Sequence, residues 1–572
     1  MKMDIEATLP RNEIFHALRT DHQEVGRAVP CVPTVDRTQS GSWRHSGPGR
    51  LSKKSAVAAR RYVFSGARPS RPQQPRFSIA FQNPPKPVRH TEPLRPRWPR
   101  AALCTYALGE RRPRDFHEWT AVPDRRHSIK RVTPRVACWA FLGRAFFLLF
   151  LAQSAFAAPK EVTYANPVIA GDYPDPSIIR LGREYWATAT TSDWAPLFPL
   201  MHSNDLVNWT QLGNVFQKLP EWSSGSYWAP EISTYDGRFF VYYVAREKRG
   251  PLSIAVATAL RPDGPYTDRG QLIAQEAGSI DPVTTTDEEG VRYLIWKEDG
   301  NSRGLPTPIW AQPLSEDGTQ LVGVMKELIR NDTPWEGNLV EGPFVIRRNG
   351  WFYLFYSGNA CCGRGCNYAL GVARSKALLG PWEKNPSNPI LAANEKWKCP
   401  GHGSIVTDAK GRDFLMYHAY HAQDFVYTGR EALLDEIKWE TNGWPNINQG
   451  KGPSQQAPAP HGFPAHNGEH FFRDDFNKGK LVSKWQWPQD NEPNVQINVG
   501  LLELSPTAEH GNDLTGAVLA IRSTRGDYEA ATLVNLSGMK PGVMASLSAY
   551  GDQDNALGIA VGGEKVILWR RQ

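Results

Sequence analysis

The chain lacks a sustained helical period, a membrane-length apolar run, a zinc-type cysteine spacing and, over its folded part, any excess of positive charge. Each absence removes a class. Without a helical period, bundles and helical solenoids give way to a strand-built fold. The apolar run from Ala145 to Ala152 is too short to anchor the chain stably in a bilayer. The cluster CCGRGC at 361–366 has no second CxxC to complete a zinc site. The net charge of +8 is unevenly spread: residues 1–157 carry about +17 and the remainder about −9, so the folded part offers no basic surface for nucleic acid.

Methionine is also missing between Met3 and Met201. Residues 1–134 are basic and Arg-Pro-rich, as in ARPSRPQQPRFS at 67–78, and are expected to be a disordered extension or not translated at all. Residues 135–157 then read as a signal peptide. A basic flank leads into the apolar run, and Ala155-Phe156-Ala157 has the small-x-small form of a signal peptidase site. Export machinery reads an N-terminus, so a non-Met start near Val132 or Val136 is expected, with a mature protein that begins at Ala158 and is secreted or periplasmic. Three of the seven cysteines precede that point. The remaining four, Cys361, Cys362, Cys366 and Cys399, suit disulfides in an exported chain. A bridge between adjacent Cys361 and Cys362 would be strained, so pairings among 361/362, 366 and 399 are expected.

What the sequence does have is repetition and aromatic residues (20 Trp, 19 Tyr, 23 Phe). At 572 residues it needs more than one domain. Five segments repeat a glycine turn followed by an aromatic-rich strand: GREYWATAT at 182–190, GRFFVYYVA at 237–245, GVRYLIWKE at 290–298, GWFYLFYSG at 350–358 and GRDFLMYHA at 411–419. The steps of about 53 to 61 residues lie in the range of propeller blades. The prediction is all-β: a five-bladed β-propeller over 158–448, a Pro/Gly/Gln linker over 449–468, and a β-sandwich over 469–572. The pattern stops mid-strand in KVILWRRQ, so the sandwich is expected to be partial.

The chemistry sits where each unit begins: DYPDPSIIR at 172–180, WAPEIS at 228–233, SIDPVTT at 279–285, LVEGPFVIR at 339–347 and GHGSIVT at 401–407. Asp175, Glu231, Asp281 and Glu341 fall in one apparent phase, and innermost strands of a propeller converge on its axis. A sheet core has no need of carboxylates there. Crowded together, they repel and separate their pKa values, as acid–base catalysis requires.

These stretches, with GREALLDEIKW at 429–439, resemble the family 43 glycoside hydrolases, the arabinofuranosidase, xylosidase and arabinanase group. The resemblance covers 163–447. The segment from Phe471 resembles the concanavalin-like sandwich that often follows such propellers and is usually longer. The resemblance implies Asp175 as general base, Glu341 as general acid and Asp281 as the residue that orients Glu341 and raises its pKa. It implies Arg430 near the base and the sugar, and His402 beside a hydrated structural Ca²⁺ on the axis. Trp228, Trp296 and Trp194 are candidate sugar platforms, and Glu231 a binding residue. The implied reaction is inverting hydrolysis, exo-acting on arabinofuranosyl or xylosyl residues of plant polysaccharide. No cofactor is required for the chemistry, and the expected state is monomeric. Arabinofuranose, xylose and galactose specificities share these motifs. Alternatives are an endo-arabinanase, a non-catalytic sugar-binding propeller, and a retaining fructan-type enzyme.

Overall fold

The computed structural model describes residues 161–572 apart from 424–427, 462–470, 511–514, 538, 553, 563–564 and 572. The stretches read above as a basic extension and export signal lie outside the described residues. The described part is built of strands joined by short 3-10 turns. Among the described residues, no helix is long and apolar enough to cross a membrane.

Between 177 and 447 the strands form five antiparallel sheets of four strands each. Their first strands are Ser177–Leu181, Ser223–Tyr235, Ser279–Thr286, Val340–Arg348 and Trp397–Thr407. Each touches the next, and the fifth touches the first, so the set is cyclic. The aromatic repeats supply the second strands, whose residues are almost wholly buried. Alternate side chains of such a strand enter opposite faces, so one strand serves the cores on both its sides. Accordingly Phe240, Tyr242 and Val244 pack toward the third sheet with Trp296, whereas Val241 and Tyr243 pack toward the first with Phe198.

The beginning of the described chain ties the ring together. Thr163–Ala165 pairs with Gln456–Pro458, within the stretch read as linker, and Asn166 and Tyr164 bond to the Leu434 carbonyl of the fifth sheet. The tail is seated on the first sheet: Trp487–Pro488 pairs with Trp194–Ala195, and Gln211 and Ser483 exchange two hydrogen bonds. Beyond these contacts the tail holds a hairpin, Asn494–Asn498 with Leu501–Ser505, and a three-stranded sheet from Ala545 to Arg571.

The disulfides correct the sequence expectation. Cys361 bridges its neighbour Cys362, and Cys366 bridges Cys399. Cys366 and Cys399 face each other from the fourth and fifth sheets at an ordinary Cα separation of 6.0 Å, which leaves the adjacent pair to close on itself.

Candidate active site

Every first strand carries a break in pairing register near its start, except the first, where the break precedes the strand. A left-handed residue marks each break: Asp175 (φ 51°), Ala229 (φ 41°), Asp281 (φ 58°), Gly342 (φ 56°) and His402 (φ 44°). A bulge bends the strand and re-aims a side chain, and non-glycine residues hold this conformation at a cost that concentrates at functional sites. At Gly342 the space is also closed, since a Cβ would meet the His402 ring carbon Cγ at 2.9 Å.

These five residues define the true repeat phase, and they correct the reading of Glu231. Its equivalent is Ser177, two residues past the bulge, and its carboxyl accepts the Ser177 hydroxyl at 2.5 Å. Asp175, Asp281 and Glu341 meet at the near end of the axis. Glu231 instead lines a cavity of ≈ 680 Å³ among the far ends of the first strands, with Arg180, Thr234, Thr286, Arg292 and Thr407.

At the near end each carboxylate is buried and separately held. Asp175 accepts Thr190 Oγ1 at 2.8 Å and Arg430 Nη1 at 3.1 Å. Burial pushes its carboxyl up, but Arg430, His402 and His418 outweigh burial and hold it well below the usual range. The backbone N–H of Asp175 donates to His418 Nδ1 at 3.1 Å. That buried ring is driven down to about 4, first by burial, so it is neutral and an acceptor there. Asp281 Oδ2 accepts the backbone N–H of Gly342 at 2.8 Å, fixing the peptide that follows Glu341. Its carboxyl is pushed up to about 6, by burial first and by Glu341 and Asp175 beside it, against the pull of His402 and Lys297. Glu341 Oε2 accepts the Lys297 ammonium at 2.7 Å, and Lys297 also bonds Asp299 at 2.9 Å. Burial pushes Glu341 up, but Lys297, with help from His402 and Tyr368, takes it below its usual value. The Lys297 ammonium on Glu341 thus opposes the repulsion by Asp281 that was expected to raise it.

The remaining candidates separate. Arg430 is in the site. His402 is too, its Nδ1 at 3.4 Å from Asp175 and 3.9 Å from Asp281. Trp296 is fully buried with its indole N–H on Gln275, so it is core and no sugar platform. Trp228 packs partly buried against that same core, and Trp194 meets the tail through Pro488 and Tyr550. For calcium, the donor that His402 offers is one imidazole, whereas a hard cation wants several oxygens. Asp175 and Asp281 are engaged elsewhere, and among the described residues no group of three His, Cys, Asp or Glu is placed to hold a metal. The described residues thus offer no all-protein cage for Ca²⁺, which leaves the hydrated ion implied by the resemblance as an expectation, and no step is derived through one.

The sequence reading missed Lys297, Ser357 and His418. All three occupy the eighth position of the aromatic repeat, where the first two units have Ala189 and Val244. Lys297 holds Glu341, Ser357 Oγ accepts the His402 N–H at 2.9 Å, and His418 accepts from Asp175. Polar residues at one position of an otherwise apolar strand were the available signal.

Residues 164–445 match the sequence model of glycosyl hydrolases family 43, and 473–571 match that of the β-xylosidase C-terminal concanavalin A-like domain. A xylosidase/arabinosidase of Butyrivibrio fibrisolvens is 31% identical over 50% of this chain and 57% of its own length. The match thus spans less than two thirds of that relative. An extracellular exo-α-(1→5)-L-arabinofuranosidase of Cellvibrio japonicus is 26% identical over 49% of this chain and 87% of its own. The crystal structure of the BlXynB protein of Bacillus licheniformis superposes with a TM-score of 0.58 at 26% identity, over 71% of this chain and 81% of that one.

Proposed function

Since the chain belongs to glycoside hydrolase family 43, we propose that it is an inverting, exo-acting hydrolase of arabinofuranosyl or xylosyl residues in plant polysaccharide. Its five sheets are the blades of a five-bladed propeller. The observation that carries the reading is the meeting of Asp175, Asp281 and Glu341 on one axis, each with a different cationic or hydrogen-bonding partner. Asp175, ionised and aimed by Arg430 and Thr190, takes the proton of the attacking water. Glu341 gives a proton to the leaving oxygen. Asp281, tied to the Gly342 N–H, holds the acid in place. Lys297 neutralises Glu341 once the proton has left.

Exo action is supported by the tail, which reaches the segment that bears Asp175. Arg522 donates to the Asp172 carbonyl at 3.0 Å and lies over the Tyr173 ring at 4.6 Å, next to the segment that bears Asp175. A site of action outside the cytoplasm is supported by the signal pattern at 135–157, by the disulfides and by the name of an extracellular relative. Assay of nitrophenyl arabinofuranoside, xyloside and galactoside beside linear arabinan tests substrate and mode. Proton NMR of the first-formed anomer tests the stereochemistry: inversion is expected, and retention would reassign Asp175 as a nucleophile.

A further inference from the structure

The bridged pair Cys361–Cys362 has no place in the mechanism above, yet its loop follows the strand that pairs with the acid. The loop 359–368 leaves the second strand of the fourth sheet just after Ser357 and Gly358, which pair with Glu341 and Val340. It therefore emerges at the catalytic end of the axis, on the side of the residue that protonates the leaving oxygen. The loop is fixed twice. Cys366 is bonded to Cys399 of the fifth sheet, and Cys361–Cys362 closes the loop on itself. Cys361 packs on a cluster of Leu339, Tyr368, Cys399 and Tyr420. Leu339 lies two residues before Glu341, and Tyr420 is the ladder partner of Arg430, which grips the base. The Gly363 N–H meets the Tyr420 hydroxyl at 3.4 Å. Both cysteines are only half-buried, so part of this rigid surface remains at the rim between the fourth and fifth sheets.

We propose that the Cys361–Cys362 disulfide is a leaving-group platform: its apolar face packs against the pentosyl unit on the far side of the scissile bond from the released sugar. Two linked sulfurs with their methylenes form a rigid, polarisable apolar surface that can meet the C–H face of a sugar ring. Because the ring is covalently closed, no side-chain freedom is lost when substrate binds, which favours a specificity contact. The proposal rests on the hydrolase reading and refines it, by naming what selects oligosaccharide over a simple glycoside.

The test compares the full chain with its Cys361→Ala/Cys362→Ala variant on a nitrophenyl pentoside and on pentosyl disaccharides and trisaccharides of the same linkage. The platform predicts a KM about five-fold or more higher on the oligosaccharides, with kcat/KM on the nitrophenyl glycoside within about two-fold. Equal effects on both substrates, or none, would overturn it. Wild-type protein that turns over neither would overturn the hydrolase reading and the platform with it. Should the variant fail to fold, mild reduction of the wild type, with mass-spectrometric mapping to show 361/362 opened and 366/399 intact, must give the same split between substrates or the platform is wrong.

Discussion

The two ends of the axis carry the same kinds of residue and treat them in opposite ways. At the near end, Asp175 and Glu341 are buried against Arg430 and Lys297, and both carboxyls fall below their usual range. At the far end, Glu231 is equally buried but is met by the Ser177 hydroxyl, and burial lifts its carboxyl to about 8. Arg292, a cation of that end, is stacked over Phe240 at 4.3 Å and over Tyr235 at 4.9 Å instead of bonding Glu231. Burial alone therefore does not make a reactive site. A buried carboxyl met only by a hydroxyl keeps its proton and becomes a structural hydrogen-bonding group, whereas a fixed cation keeps Asp175 ionised as a base and, at Glu341, stabilises the carboxylate left once its proton has gone.

The sharpest way to break this contrast is at the base. Asp175→Asn and Asp281→Asn should each lower kcat by about 100-fold or more with folding intact by circular dichroism. Near-normal turnover of xylan or arabinan side chains by Asp175→Asn would remove the near end from the chemistry. A smaller effect is expected at Lys297. Lys297→Gln removes the charge that lowers Glu341, so kcat should fall about ten-fold. In the wild type, kcat/KM needs one proton on the Asp281–Glu341 pair, and it should fall as pH rises through about 6, the value of Asp281. In Lys297→Gln that limb should move to higher pH; an unmoved limb would show that Lys297 does not govern the pair.

The far end is sharpened by stability. A Glu231 carboxyl raised in the folded state stabilises fully below the unfolded value, and that contribution is lost as pH rises toward about 8. Glu231→Gln should therefore gain on the wild type by on the order of 1 kcal/mol or more between pH 5 and 8 in denaturant titrations. A constant difference across that window would contradict a protonated Glu231. The smallest effect concerns metal: exhaustive chelation should leave kcat within about two-fold, and a larger loss reversed by Ca²⁺ would restore the cation expected at His402.

The all-β character and the unit of repetition were legible because glycine turns and aromatic strands recur at nearly fixed steps. Asp175 and Asp281 were legible for the same reason, each standing before a proline at a unit start. Glu231 was misread because the eye aligns acids, whereas the backbone aligns the left-handed residue, which in the second unit is Ala229. Lys297 and His418 went unseen because they lie on second strands, where each follows an aromatic residue and looks like the edge of a core. Their role depends on a neighbouring sheet, and pairing across sheets is not written in any local window. The near-neighbour disulfide was missed similarly, since the contact that claims Cys366 is Cys399, thirty-three residues on.

The central claim is that identical side chains on one axis differ in function through their partners, and one paired measurement tests it most directly. Glu341→Gln and Glu231→Gln are assayed in parallel on a pentosyl oligosaccharide and on a nitrophenyl pentoside. The account predicts that Glu341→Gln loses about 100-fold or more on the oligosaccharide but keeps most activity on the aryl glycoside, whose leaving group needs little protonation. Glu231→Gln should stay within about three-fold on both. Equal losses for the two variants on the oligosaccharide, or a Glu341→Gln loss that ignores the leaving group, would contradict it.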